Sequence, residues 1–257
     1  MNTPHRRNTH KSPLSKPVAK KLSVRAPFSV LYEDNHLLVL AKPPDVPTMG
    51  VTDNRASVLS MARSYVKHRD NKPGNVYLGV VSRLDTPVSG VLLLAKTSKA
   101  ASRLTEQFRE RDVEKTYWAI VQGRLAKPKG KLVDYLAHDD RAQRVGVVKE
   151  NTPQAKHAVL SYRRMKALGS AAGGGATLLE VQLETGRKHQ IRVQLSHAGY
   201  PILGDRKYGA KQPFPTGIAL HGRRMELVHP VTHEVMEFVA PLPPSWRKFG
   251  IEERDVE

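Results

Sequence analysis

The chain has 257 residues, 39% of them hydrophobic and 26% charged, a balance that excludes wholesale disorder and suffices for a buried core. Lys and Arg number 42 against 24 Asp and Glu, a net charge of +18, and there is no cysteine. Disulfide frameworks, Cys-ligated zinc, iron–sulfur clusters and thiol catalysis are thereby excluded, and the charge points to a polyanionic partner, nucleic acid first.

Residues 1–25 hold seven cations, no acid and three prolines, without the apolar block of a signal peptide. They are expected to form a disordered basic arm that adds phosphate attraction. The folded domain is expected over 26–250, with 251–257 a C-terminal tail. Val30–Tyr32 and Leu37–Ala41 flank a polar turn and predict a hairpin. Val58, Met61, Ala62 and Tyr65 recur at helical spacing within 57–67. Tyr77–Val81 and Val88–Ala95 read as strands joined by a short Pro-containing connection. Thr97 or Ser98 caps a helix carrying Ala100, Leu104 and Phe108 on one stripe. Glu114–Val121 reads as a strand, with Tyr117, Ala119 and Val121 on one face and Thr116, Trp118 and Ile120 on the other.

Val159–Met165 and Leu178–Thr185 form a further strand pair around a Gly/Ala-rich loop, 169–176. His189–Ala198 shows helical spacing, and Gly199 suits the position after the helix end. Ile218–Leu227 and Val235–Val239 are late strands. Strands dominate without strict βαβ alternation, which predicts an α+β fold with a mixed, mostly antiparallel sheet. No apolar run approaches the roughly 20 residues of a membrane span.

Three segments carry candidate chemistry. In Ser82-Arg83-Leu84-Asp85-Thr86-Pro87, a carboxylate follows an arginine by two residues in a turn between strands. An ionised Asp85 could act as a nucleophile; a structural ion pair closing the turn is the simpler reading of this segment alone. In Thr185-Gly186-Arg187-Lys188-His189-Gln190-Ile191-Arg192, glycine turns the chain into a helix start rich in cations. Arg192 borders the buried stripe and needs an anion, either carboxylate or phosphate. In Lys115-Thr116-Tyr117-Trp118, either aromatic could be core, or could flank a planar base. No metal-ligand spacing, Gly-x-Gly-x-x-Gly or phosphate-binding loop appears.

Taken together the chain resembles the RNA pseudouridine synthases of the RluA class. The resemblance is carried by Arg83-Leu84-Asp85 followed by Ser89-Gly90 and the apolar run to Ala95. Val39-Leu40-Ala41-Lys42-Pro43, Lys115–Val121, Thr185–Arg192 and Pro201-Ile202-Leu203-Gly204-Asp205 follow the family in order and spacing. The match spans about residues 28–245, without the S4 domain that many relatives carry. Ser82 and Val88 stand where many members have His and Thr.

The resemblance implies the pseudouridine synthase fold and isomerisation of uridine in ribosomal or transfer RNA, with no cofactor and no metal. It implies Asp85 as the essential carboxylate, by attack at C1′ or by elimination at the ribose. It implies Arg192 as the partner of Asp85, and Tyr117 as the ring against the base and a candidate for removing the C5 proton. Arg83, Lys42, Arg187, His189 and Gln190 are the expected substrate-binding residues. A structured RNA with its target uridine in a loop is the expected partner, and a cytoplasmic monomer the expected form. Two alternatives stay open: a non-catalytic basic RNA-binding or ribosome-assembly protein on the same fold, and a nucleoside or nucleotide glycosidase, which the excess charge disfavours.

Overall fold

Two almost wholly apolar segments, Leu37–Lys42 (β2) and Ser89–Ala95 (β4), pair antiparallel and are covered on both faces. In the computed structural model, which describes residues 28–50, 56–71, 73–169 and 175–252, alternation along these strands decides which helix covers which side. Leu38, Leu40, Leu92 and Leu94 pack under α1 (Val58–Arg69). Leu37, Val39, Val91 and Leu93 pack under α2 (Ser98–Glu110). Ser57 caps α1 through Ser60 N and Ser60 Oγ answers at the Ser57 backbone, while Thr97 Oγ1 caps α2 by accepting from Ala100 N. Each cap satisfies an amide that the helix itself leaves open.

Ser29–Glu33 (β1) completes the predicted hairpin with β2, and Gly79–Val80 (β3) lies along β4. The remaining strands are Glu114–Gln122 (β5), Lys129–Asp139 (β6), Arg144–Val148 (β7), Lys156–Leu168 (β8), Ala176–Leu183 (β9), Leu220–Val228 (β10) and Val235–Val239 (β11). They form one sheet in the order β1-β2-β4-β10-β5-β9-β8-β6-β7, with β11 on β10. Among the described residues every strand pairing is antiparallel except β4 with β10. This is the expected α+β, mostly antiparallel architecture. The third helix, α3 (Gln190–His197), follows the turn after β9, and Gly199 lies just beyond it with φ +87° as the spacing predicts.

The β4–β10 junction joins the two halves of the sheet. Gly90 sits there at φ +130°, and a Cβ on it would fall 2.3 Å from the Gly222 carbonyl oxygen. Only glycine permits this approach. Beside it, Ser89 Oγ and His221 Nδ1 lie 2.8 Å apart in the interior. The connection into β4 carries Asp85, so the junction fixes the position of that residue.

Two strands were not expected. β6 and β7 fall in a stretch whose apolar residues do not alternate: Leu132 and Val133 are adjacent, as are Tyr135 and Leu136. They extend the sheet at its outer end, half exposed, where Lys, Gly and Asp are tolerated. The basic arm and most of the Gly/Ala loop lie outside the described residues. No helix among the described residues is long and apolar enough to cross a membrane.

Candidate active site

Leu84 drives the segment before β4 into the core, and buried Thr48 pins its backbone twice. Thr48 Oγ1 donates to Leu84 O at 2.7 Å and accepts from Leu84 N at 3.2 Å. Val88 N closes the following turn on Asp85 O at 3.0 Å. Lys42, 2% exposed, donates its ammonium to Pro43 O, Val46 O and Thr86 O at 2.8, 2.7 and 3.1 Å. Burial pulls its pKa down to about 7, with Asp45 and Asp85 opposing. Against the expected substrate contact at Lys42, the structure turns its donors to backbone carbonyls, so that it fastens the Asp85 loop from behind.

Asp85 emerges from this scaffold with 27% of its side chain exposed at a cleft of about 1440 Å³. Arg192, on the first turn of α3, donates from Nη1 to Asp85 Oδ2 at 2.9 Å. The other edge of its guanidinium is bidentate on Asp205, Nε to Oδ2 at 2.7 Å and Nη2 to Oδ1 at 2.9 Å. Asp205 is 2% exposed. Burial opposes the charge on Arg192, but the two carboxylates more than offset it and raise its pKa. A planar fork held along one edge has little rotational freedom left, so Arg192 presents a fixed donor to Asp85. Tyr208 stacks beneath it, its ring centre 5.0 Å from the guanidinium carbon.

His189 precedes α3 in the left-handed region, φ +57°, which swings its ring toward the same carboxylate. Its Nε2 is 3.7 Å from Asp85 Oδ2, and its Nδ1 is 2.6 Å from the Tyr208 hydroxyl. Burial pushes its pKa down to about 4; Asp85 opposes this, and Arg192, Lys188 and Lys207 add to it. The ring is neutral at pH 7, so Arg192 is the cation that faces Asp85.

Tyr117 projects from β5 into the floor beside Asp85, among Leu84, Val88, Leu183 and Leu220. Close packing, with Asp85 adding, raises the pKa of its phenol. That direction disfavours the phenol as a base for the C5 proton and leaves the ring as an apolar surface. Arg83 and Arg187 are exposed and line the cleft; Arg187 Nε also donates to His157 O at 2.9 Å.

Gln190, another expected substrate contact, lines the pocket beside Asp85 with its amide turned inward. It is 3% exposed, its Oε1 accepts from Thr185 Oγ1 and Arg187 N, and its Nε2 donates to Val159 O. Its amide oxygen ties the 185–187 turn, and its amide nitrogen fastens that turn to β8. Asp205 and Thr48 were not singled out. The signal for Asp205 was the expectation that a semi-buried Arg192 needs an anion; two carboxylates answer it. Among the described residues, no group of three or more His, Asp or Glu side chains is placed to hold a metal ion.

A family model described as RNA pseudouridylate synthase matches residues 36–197. The RNA pseudouridine synthase YjbO of Bacillus subtilis is 33% identical over 228 residues, covering 88% of this chain and 77% of its own length. The ribosomal large subunit pseudouridine synthase D of Xanthomonas campestris is 36% identical over 237 residues, covering 86% and 68%. Among solved structures, human RNA pseudouridylate synthase domain containing 4 superposes with a TM-score of 0.70 at 26% identity, over 87% of this chain and 93% of that one.

Proposed function

The chain belongs to the RNA pseudouridylate synthase family and is an isomerase acting on RNA, and on that premise we propose that Asp85 carries the reaction and that ribosomal RNA is its substrate. The observation that supports Asp85 most is its setting. It is the exposed carboxylate of the Asp205–Arg192–Asp85 chain, held at the cleft floor by a buried guanidinium that cannot turn away.

In the reaction the N1–C1′ bond of uridine breaks, uracil turns, and C5 bonds to C1′. The C5 proton leaves and N1 gains one, so there is no net redox change. Asp85 acts on the ribose, by attack at C1′ or by elimination. Arg192 orients the carboxylate through a charge-assisted hydrogen bond. The Tyr117 ring packs against the uracil as it turns. A uridine within a helix must leave its stack to reach this depth, and an unpaired loop costs least to open.

The cleft volume exceeds that of a typical small-molecule site, roughly 300–1,000 Å³, which supports a polymer substrate over a free nucleoside. The large-subunit ribosomal relatives make ribosomal RNA the first choice and transfer RNA the second. A non-catalytic binding protein would gain nothing from a carboxylate held toward incoming phosphates. The test is tritium release from C5-labelled ribosomal transcripts, transfer RNA transcripts and free uridine. Release from ribosomal transcripts alone is expected. Release from transfer RNA alone would overturn the substrate assignment, and release from free uridine would overturn the polymer reading.

A further inference from the structure

We infer that Lys115 forms a phosphate subsite in the cleft, binding the RNA backbone at the nucleotide next to the target uridine. This rests on the reading of the cleft as the RNA site and names a contact within it. Lys115 lies two residues before Tyr117 on β5, hence on the same face. Two strand steps separate them by about 6.8 Å. A base placed against Tyr117 therefore brings its neighbour's backbone toward Lys115.

The ammonium is partly withdrawn from water. Its Nζ lies 5.1 Å from the centre of the Phe108 ring, and a Cβ on Gly186 across the cleft would come within 3.7 Å of it. Burial lowers its pKa. Among the described residues it has no carboxylate partner. The two glutamates lining this end of the cleft face other cations: Glu184 meets Lys131 at 2.8 Å, and Glu114 meets Arg224 at 3.9 Å. A ring face compensates a half-buried ammonium only in part, and the cost of desolvating a cation is normally met by a full anion. Arg111 and Arg187 line the same cleft and exclude a cationic ligand there. Gly186, beside the ammonium, carries no side chain that could compete for it.

The test compares the full chain with Lys115→Met, Lys115→Gln and Lys115→Arg. Met preserves the stem against Phe108 without the charge; Gln serves if Met perturbs the thermal midpoint. Binding of a single-stranded oligouridylate of roughly a dozen nucleotides is followed between about 50 and 200 mM salt, since each phosphate contact on a single strand contributes about 0.7 to the logarithmic slope. The uncharged variants are expected to lose about 0.7 of slope, shrinking the parent's affinity advantage about threefold over that range, while Lys115→Arg keeps the parent slope. On C5-labelled RNA, KM should rise and kcat hold. An unchanged slope in the uncharged variants, or a loss in Lys115→Arg equal to theirs, would overturn the assignment and leave Lys115 a packing residue. The parent's own slope reports on the cleft. If the parent bound without salt dependence, the RNA reading itself would fall together with the subsite.

Discussion

Arg192 and Lys115 are both cations drawn out of water at the wall of one cleft, and the protein answers them in opposite ways. Arg192 is bracketed by two carboxylates from different loops, one buried and one open. Lys115 rests against an aromatic ring, and the nearby acids are turned to other partners. The difference is one of purpose. A satisfied guanidinium is an internal part that orients a reactive group. An ammonium left short of an anion is a surface for a ligand that brings its own charge. On the proposed reading the cleft has one end for the sugar and one for the strand.

Removing the centre of the paired end should have the largest effect. Arg192→Met leaves Asp205 buried and unpaired, a loss of about 3–5 kcal/mol, read as a fall in thermal midpoint. Arg192→Lys, with one point charge in place of a fork, should remain folded yet lose most tritium release. Parent-like activity in the lysine variant would show that the bidentate geometry is not needed.

The loop behind Asp85 comes next. Lys42→Met withdraws the donor shared by three carbonyls, which costs about 1–3 kcal/mol. Because Lys42 does not face the cleft, kcat should fall while the salt dependence of oligouridylate binding stays at the parent value. A reduced salt slope would return Lys42 to the RNA surface.

A smaller effect sharpens the claim that Arg192, and not His189, is the cation facing Asp85. His189 titrates near pH 4 when folded, against about 6.5 unfolded. Between those values the unfolded chain holds a proton that the folded chain lacks, so this group withdraws stability as pH falls from 6.5 to 4. His189→Gln should make the decline in thermal midpoint over that window shallower. An identical decline would mean that the ring is not held neutral.

The parts legible in sequence were those whose neighbours along the chain reveal their environment. β2, β4 and β5 announce themselves by apolar runs, and Thr97 stands where a helix start needs an oxygen. β6 hides its period because Leu132-Val133 and Tyr135-Leu136 put apolar residues on both of its faces, and β7 is too short a run to stand out beside it. Within the site, Asp85, Arg192 and Tyr117 were reached through motif resemblance, and the geometry brings all three to one cleft. A polar residue in a motif looks like a ligand contact, and at Lys42 and Gln190 the fold turns the hydrogen bonds inward. Whether its donors point outward or into backbone depends on burial, which one residue's identity does not disclose. Asp205 was passed over because its partner lies 13 residues away across a loop, and such pairings exist only in the folded chain.

The central claim, that Asp85 does the chemistry while its neighbours hold it, is tested most directly by Asp85→Asn beside the parent, with tritium release and RNA affinity measured on the same C5-labelled ribosomal transcript. The amide keeps the shape and leaves Arg192 its bidentate bond to Asp205, so folding and binding should persist. Release should fall by at least about a thousandfold, the scale on which loss of an essential group is read. Release at the parent rate by a folded, RNA-binding Asp85→Asn would contradict the account.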